Sequence, residues 1–375
     1  MGDTVSLLIS LLAIKIAITT KPVIVETSHP RGPPSPPPYF MERDDLILEG
    51  IAHIHPTPAA KIAIIGPDGI GKTSLVLSLL HDPKVKAHLA GACYFVSCEA
   101  LCMGTNLVRG ILEALRISVH PEEKETFGFL YQQLLKAGNL FLVLDNLETL
   151  WSEDANADAT GVDEDLQRAL EILGSVYTIT LVVTRSGAVV PACIPWTMLL
   201  REGGIRPLAP HDIIALLQHN VRQSFPTESI DDEQAMELAK AVNGVPLAIK
   251  LVSGIYNPKH RDTFAFLSEL KERISSPGDG VPNIIQIIVE IALDSAPISE
   301  NPECPGLLSI LSFLPEGVPH YKSILHQLTP HFLDVDAAAS ILLQTCLAQE
   351  TSAGALTLLP SIGGLLARVD LSMRT

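Results

Sequence analysis

The first half of the chain alternates short apolar runs with segments that have helical spacing. Apolar runs without alternation are typical of strands that are buried on both faces, and strands that alternate with helices form a parallel sheet. The predicted strands are Lys61–Ile65, Tyr94–Ser97, Leu140–Asp145 and Thr178–Thr184, with Ile205–Leu208 as a short fifth. The predicted helices between them are Ser74–Leu80, Leu107–Leu115, Phe127–Lys136 and Asp165–Leu173.

After residue 208 the alternation ends and helical patterns follow one another. The turn-rich stretch Ser276–Pro282 separates two groups of helices, and short alternating segments around Ser352–Gly354 predict a hairpin, so the last group resembles a winged helix. The predicted helices are Pro210–Val221, Asp231–Val242, Leu247–Ile255, Thr263–Ile274, Ile284–Leu293, Gly306–Leu314, Tyr321–Leu328 and Val335–Thr345. We expect an apolar segment with a proline-rich linker at 1–38, an α/β domain at 39–208, a small helical domain at 209–277 and a winged-helix-like domain at 278–375.

Composition excludes several classes of protein. The chain has 26 Lys and Arg against 42 Asp and Glu, and its net charge is −16. A general basic surface for nucleic acid is therefore excluded, and we expect no nucleic-acid partner, although a nucleotide can still bind in a local pocket. Because 47% of the residues are apolar and only 18% are charged, the chain as a whole is not disordered.

The amino terminus carries an apolar run over residues 5–18, which is shorter than the roughly 20 residues that a membrane span needs. Asp3 precedes the run without a positive charge, which argues against a secretory signal. The alternatives for this segment are a truncated effector domain, a helix that contacts a membrane and a gene-model artefact. The six cysteines form no C-x-x-C pair, as is typical of a reducing compartment, and we expect a cytoplasmic protein.

The strongest chemical signal is GPDGIGKT at residues 66–73, which fits the phosphate-binding P-loop motif between a predicted strand and a predicted helix. Its glycines let backbone N–H groups turn toward an anion at the start of the helix. Lys72 is expected to reach the β- and γ-phosphates, and the Thr73 hydroxyl is expected to ligate Mg²⁺. The loop residues assigned to nucleotide binding are Gly66, Gly69, Ile70, Gly71, Lys72, Thr73 and Ser74.

Three further residues complete the predicted chemistry. Asp145 ends a buried strand, where it can bind Mg²⁺ together with Thr73. The next residue is Asn146, an amide that orients water but accepts no proton, so we expect at most a slow ATPase, in which Glu148 is an alternative base. Arg185 ends another strand and can direct a cation at the γ-phosphate.

Several ordered motifs together resemble the STAND class of P-loop NTPases with an NB-ARC-like module, as in the NOD-like receptors of fungi. They are GPDGIGKTSL (66–75), YFVSCEAL (94–101), LVLDNLETLW (142–151), LVVTRSG (181–187) and NGVPLA (243–248). The resemblance implies a P-loop NTPase core with a five-stranded parallel sheet, followed by a helical domain and a winged-helix domain. It also implies ADP in the resting state and exchange for ATP on activation.

The resemblance assigns roles to residues outside the P-loop. Pro246 matches a proline that packs on adenine, Arg185 matches a γ-phosphate sensor, and the segment that contains Met41 and Arg43 matches the backbone that lines the adenine pocket. The sequence departs from the family at Asp68, which places a carboxylate near the phosphates, and in the last segment, LTLLPSIGG, which lacks a phosphate-contacting histidine. Relatives continue into a repeat domain that senses a ligand, so we expect either a truncated gene product or an unknown protein that acts as sensor or effector.

The favoured hypothesis is a signalling switch in which ADP and ATP control domain opening and the formation of a homo-oligomer. One alternative is a regulator whose winged helix binds DNA, although Val335–Thr345 contains no Lys or Arg for such contacts. The other alternative is a degenerate scaffold that binds nucleotide without switching.

Overall fold

The computed structural model describes most of the chain. The described residues are 33–36, 43–54, 59–101, 104–117, 127–150, 164–186, 189–200, 205–227, 229–256, 263–275, 284–314, 317–328, 332–351, 354–359, 362–363 and 366. Two compact units divide the chain between Arg206 and Pro207. The apolar run at 5–18, and Met41 with it, lies outside the described residues. None of the helices in the described ranges has the length and apolar character that a membrane crossing requires.

The first unit alternates helices and strands. In chain order its elements are helix α1 (Asp44–Ile54), strand β1 (Lys61–Ile65), helices α2 (Lys72–His81) and α3 (Pro83–His88), strand β2 (Cys93–Ser97), helices α4 (Gly104–Ala114) and α5 (Phe127–Ala137), strand β3 (Leu140–Asp145), helix α6 (Glu164–Ser175), and strands β4 (Ile179–Arg185) and β5 (Met198–Leu200). Single turns of 3₁₀ helix at Cys98–Ala100 and Leu147–Thr149 follow β2 and β3.

In the described part of this unit the strands form a five-stranded sheet in the order β2-β3-β4-β1-β5, and every pairing is parallel. The first four predicted strands are confirmed, with bounds that differ by at most one residue. The predicted fifth strand at Ile205–Leu208 is wrong, because Met198–Leu200 pairs with β1 instead. Ile205 makes a single backbone hydrogen bond to Ile65 (2.9 Å), and Pro207 lacks the N–H that would continue the ladder.

Burial of the sheet on both faces explains why its strands are continuously apolar. Along β3, Leu142 packs into one hydrophobic cluster and Phe141 and Val143 pack into another on the opposite face. The sheet edge formed by the carboxyl ends of the strands carries the polar residues Asp145, Thr184 and Arg185, all of them buried. Ligands bind at this edge in open parallel sheets.

The second unit is mainly helical. Its elements are helices α7 (Pro210–Ser224), α8 (Asp232–Ala241), α9 (Pro246–Ile255), α10 (Thr263–Ser275), α11 (Ile284–Asp294), α12 (Ala296–Ser299), α13 (Glu303–Ser312), α14 (Tyr321–Ile324) and α15 (Val335–Gln344), and strands β6 (Ala348–Glu350) and β7 (Leu356–Leu358). The two strands pair antiparallel, which confirms the predicted hairpin. Side chains cap helices as their sequences suggest: Asp231 accepts from the Gln234 N–H, and Asp334 accepts from the Ala337 N–H.

A single hydrophobic cluster of described residues runs from Ile213 in α7 to Leu366. It therefore includes helices from both of the regions that the sequence divides at Ser276–Pro282. The separate helical and winged-helix domains remain a prediction, since hydrophobic packing alone does not define a boundary between them.

Candidate functional site

The segment Gly66–Thr73 runs from the end of β1 into the first turn of α2, at the carboxyl edge of the sheet. Gly69 and Gly71 adopt left-handed backbone conformations, with φ of 71° and 100°. At Gly71, the residue before α2, a Cβ would meet nothing within 4 Å. Glycine is therefore favoured at this position by the backbone angle and not by a lack of space. No side chain caps the start of α2. This arrangement fits a phosphate group held by backbone N–H groups at a helix start.

Lys72 is 6% exposed, and its ammonium lies over the same loop. Its Nζ donates to the carbonyl oxygens of Gly66 (3.0 Å) and Pro67 (3.2 Å) and to Ser186 Oγ (3.1 Å). Ser186 follows β4, and its hydroxyl also hydrogen-bonds Glu148 Oε1 at 2.6 Å and Asp68. The sequence interpretation missed Ser186, although its position directly after a strand that ends in Arg185 was a signal.

Asp145 and Thr73 meet as the sequence predicts. The Thr73 hydroxyl lies 3.0 Å and 2.9 Å from the two carboxylate oxygens of Asp145. Burial raises the pKa of Asp145, and hydrogen bonds from Thr184 and Thr73 oppose that rise. Thr184 was not predicted as a site residue; it donates to Asp145 at 2.6 Å and accepts from the Asn146 N–H at 2.8 Å.

This pair of oxygen ligands fits a magnesium ion that arrives with a nucleotide. Mg²⁺ is usually held by one or two protein oxygens together with phosphate oxygens and water. Within the described ranges no group of three or more His, Cys, Asp or Glu side chains is arranged to hold a metal ion. Thr73 and Asp145 would therefore supply the protein's share of the coordination.

Asn146 contacts an acidic residue that the sequence interpretation did not include. Its backbone is left-handed (φ 58°), and its side-chain amide donates to Glu99 Oε1 at 2.8 Å. The pKa of Glu99 is raised to about 7, mainly by burial and also by the charge of Asp145, while the hydrogen bond from Asn146 acts to lower it. Glu99 lies in the 3₁₀ turn after β2, so it reaches the site from the strand next to β3.

Two arginines contact the backbone of the P-loop, Arg185 through its own backbone carbonyl and Arg43 through its side chain. Arg185 is buried at the end of β4, and its carbonyl accepts the Gly66 N–H at 3.2 Å. Arg43 is buried before α1 and donates to the carbonyl oxygens of Ile70 and Arg206, each at 3.1 Å. Arg43 therefore anchors the P-loop to the segment that follows β5. The ligand contacts predicted for Arg185 and Arg43 remain predictions, and the contact predicted for Met41 concerns a residue outside the described ranges.

Pro246 lies in the second unit, at the first position of α9. The turn before it requires glycine, because Gly244 has φ of 67° and a Cβ there would meet Ile213 at 3.0 Å and Pro207 at 3.1 Å. The sequence NGVPLA is therefore explained locally as a helix-to-helix turn. The predicted stacking of Pro246 on adenine stays a prediction, and so does the role of Ser74 in the first turn of α2.

The sheet order, the glycine-rich loop after β1 and the Lys72–Thr73–Asp145 arrangement define the first unit as a P-loop NTPase fold. The sequence model of the family described as "AAA domain" matches residues 57–185, which include β1 to β4 and all of the P-loop. This stretch, which is less than half of the chain, is similar to the AAA domain family.

The individual proteins that are similar to this chain have low sequence identity to it. A disease resistance protein of Solanum bulbocastanum, RGA4, is 25% identical over an alignment of 236 residues, and the alignment covers 59% of this chain and 21% of RGA4. Among solved structures, a Walker-type ATPase of Pyrococcus abyssi is 12% identical with a TM-score of 0.45 and covers 90% of this chain and 98% of its own. Cdc6p from Pyrobaculum aerophilum is 13% identical with a TM-score of 0.43, over 90% of this chain and 96% of its own.

Proposed function

We propose that this protein is a nucleotide-dependent signalling switch of the STAND type, which binds ADP or ATP with Mg²⁺. The observation that carries the proposal is the joint position of three groups at one sheet edge. They are the uncapped start of α2 after Gly71, the buried ammonium of Lys72, and the Thr73 hydroxyl within 3.0 Å of Asp145.

The polar groups around Lys72 favour a switch over a rapid metabolic ATPase. Lys72 Nζ is hydrogen-bonded to Ser186 Oγ and lies 3.7 Å from Asp68 Oδ1, so phosphate oxygens must compete with these groups for the ammonium. Such competition makes nucleotide affinity sensitive to small movements of the loop. Asn146 stands after Asp145 where a proton acceptor would speed hydrolysis, and slow turnover suits a protein whose signal is the identity of the bound nucleotide.

The signalling part of the proposal draws on the motifs in both units and on the similarity to RGA4. In this proposal, exchange of ADP for ATP changes the arrangement of the nucleotide-binding and helical regions and permits homo-oligomer formation. A change from a ratio of 1:99 to 99:1 between two arrangements requires about 5.5 kcal/mol of differential nucleotide binding. The matched stretch covers only 21% of RGA4. A role in defence signalling like that implied by the name of RGA4 is therefore part of this proposal and not a result of the comparison.

Identification of the copurifying nucleotide tests the proposal. We expect ADP bound to the wild-type protein and its loss from a Lys72→Ala variant, with Lys136→Ala on α5 as a matched control that keeps it. Size measurements with ADP and with a nonhydrolysable ATP analogue then test switching. A wild-type protein that binds neither nucleotide contradicts the proposal, and a protein that binds both but keeps one size and one protease-cleavage pattern contradicts the switch.

A further inference from the structure

Asn146, the residue after Asp145, cannot accept a proton, but its side chain is hydrogen-bonded to Glu99, which can. Asn146 Nδ2 donates to Glu99 Oε1 at 2.8 Å. The two residues come from neighbouring strands, because Ser97 at the end of β2 pairs with Asp145 at the end of β3. A carboxylate and an amide therefore stand side by side at the edge where the P-loop opens.

Glu148 is the other carboxylate near this edge, and its surroundings suit a different role. Its Oε1 accepts from Ser186, which also holds the Lys72 ammonium. Its Oε2 is shielded from solvent and has no hydrogen-bond partner among the described residues. An attacking water molecule would have to displace packed atoms to reach it.

Glu99 and Glu148 are both half-buried, but the shielded oxygens without a partner include Glu148 Oε2 and not Glu99 Oε2. Within the described part of the chain Asn146 is the one side-chain hydrogen-bond partner of Glu99, which leaves its Oε2 available to a water molecule. The acidic groups whose charges act on it are Asp145, Glu148 and Asp68, and Asp68 belongs to the P-loop itself. A proton acceptor has to be within hydrogen-bond reach of the water that it activates, and a fixed orientation makes it effective.

From this geometry we infer that Glu99 is the proton acceptor for ATP hydrolysis and that the Asn146 amide is its positioning group. The inference rests on the proposed nucleotide binding. The water oxygen forms a bond to the γ-phosphorus while the bond from that phosphorus to the β,γ-bridging oxygen breaks, and the bridging oxygen keeps the electron pair as part of ADP. One proton of the water passes to a Glu99 oxygen and leaves afterwards to solvent. The products are ADP and inorganic phosphate.

In this assignment an amide and a carboxylate for water activation are both present, but the carboxylate follows the strand beside β3 and not β3 itself. Glu148 is then left to hold Ser186 close to Lys72. The two glutamates thus have different neighbours and different expected effects when they are replaced.

The test measures binding and hydrolysis separately on the full chain, with ATP and Mg²⁺. In single-turnover assays with γ-labelled ATP, Glu99→Gln is expected to slow hydrolysis about 100-fold and to change ATP affinity less than about threefold. Gln keeps a carbonyl oxygen for the Asn146 amide, so a structural role of Glu99 would survive this change. Glu148→Gln is expected to slow hydrolysis less than about tenfold, and Glu171→Gln on α6 is the matched surface control.

A double variant tests the pair itself. In Glu99→Gln with Asn146→Asp the amide and the carboxylate exchange strands, and Asp tolerates the left-handed backbone at this position. We expect this protein to hydrolyse ATP at least about tenfold faster than Glu99→Gln alone. Glu99→Asp, which keeps a carboxylate, provides the second measurement if the Gln variant folds poorly.

Several results would overturn the assignment of Glu99. One is hydrolysis by Glu99→Gln within threefold of wild type, and another is a large loss in Glu148→Gln with none in Glu99→Gln. Wild-type protein that binds ATP but does not hydrolyse it faster than Lys72→Ala also overturns the assignment and leaves the proposed nucleotide binding intact. If the wild-type protein binds no nucleotide at all, both proposals fail.

Discussion

The Thr184 hydroxyl donates a hydrogen bond of 2.6 Å to Asp145 Oδ1, across the boundary between β4 and β3. The same hydroxyl oxygen accepts the Asn146 N–H at 2.8 Å. One buried side chain therefore orients the carboxylate expected to bind Mg²⁺ and fixes the backbone of the residue that holds Glu99. Thr184 therefore connects the residue proposed to bind Mg²⁺ with the residue that positions the proposed proton acceptor.

Thr184→Val should weaken the magnesium dependence of nucleotide binding. The variant keeps the shape of the side chain but removes the donor to Asp145, so the pKa of that carboxyl rises further and its affinity for Mg²⁺ falls. We expect the Mg²⁺ concentration for half-maximal ATP binding to rise about tenfold, which is the usual effect of losing such a supporting contact. Titration of Mg²⁺ against a fluorescent ATP analogue measures this, and Thr184→Ser, which keeps the hydroxyl, should behave as wild type. Equal titrations of wild type and Thr184→Val would contradict the role of Thr184.

Asp68→Asn should tighten ADP binding. Asp68 Oδ1 lies 3.7 Å from Lys72 Nζ, and its side chain is 46% exposed. Removal of this charge frees the ammonium and removes repulsion of the phosphates. The carboxylate is exposed to solvent, so the gain in affinity should be only about threefold and should shrink at high salt. Isothermal titration calorimetry at two salt concentrations checks it, with Glu171→Gln as the surface control. Weaker binding in Asp68→Asn would show instead that the carboxylate supports the loop.

Lys61 should make folding stability depend on pH in the alkaline range. It is buried at the amino end of β1, and its Nζ donates to the carbonyl oxygens of Val176 (3.0 Å) and Ile179 (2.7 Å). Burial lowers the pKa of Lys61 from 10.5 to about 8. The unfolded chain therefore binds more protons between pH 8 and pH 10.5, and the contribution of Lys61 to stability rises with pH in this window.

Urea denaturation across that window measures the effect. The rise in the free energy of unfolding that Lys61 causes should be at most roughly 3 kcal/mol. Lys61→Met should lose this rise, and it should be less stable than wild type throughout, because two buried carbonyl groups lose their donor. Identical pH profiles of the two proteins would refute the lowered pKa.

Gly254→Ala should destabilise the second unit without touching the P-loop. Gly254 lies in α9, and a Cβ there would come within 2.6 Å of the Thr345 backbone and 2.8 Å of the Gln344 carbonyl oxygen. Backbone atoms cannot move aside cheaply, so we expect a loss of about 1–3 kcal/mol in the free energy of unfolding. Gly128→Ala in α5 is the matched control. A Cβ at Gly128 meets nothing within 4 Å, and this change should be neutral or slightly stabilising.

Hydrogen exchange of the second unit is the direct measurement of the Gly254→Ala effect. Faster exchange in α9 and α15, together with unchanged ADP affinity, is the expected outcome. No change in exchange or unfolding would mean that the carboxyl end of α15 can shift away from α9 at little cost.

The P-loop and most of the helices and strands can be predicted from the amino-acid sequence alone. The residues of Gly66–Thr73 are contiguous, and the geometry of a loop at a helix start depends mainly on local backbone angles, so the motif can be recognised without the fold. Periodicity located β1, β3 and the long helices for the same reason. It misplaced the fifth strand because the apolar pattern at Ile205–Leu208 is as strand-like as that at Met198–Leu200, and only pairing with β1 selects between them.

The other residues of the site can be identified only from the way in which the strands pair. Glu99, Thr184 and Ser186 follow or end strands that are distant from the P-loop in sequence, and they meet Asn146, Asp145 and Lys72 because the sheet order is β2-β3-β4-β1. No local pattern encodes that order, since it results from the packing of both sheet faces. The nucleotide-binding loop was therefore predictable from a local pattern, whereas the candidate proton acceptor became visible only when β2 and β3 lay side by side.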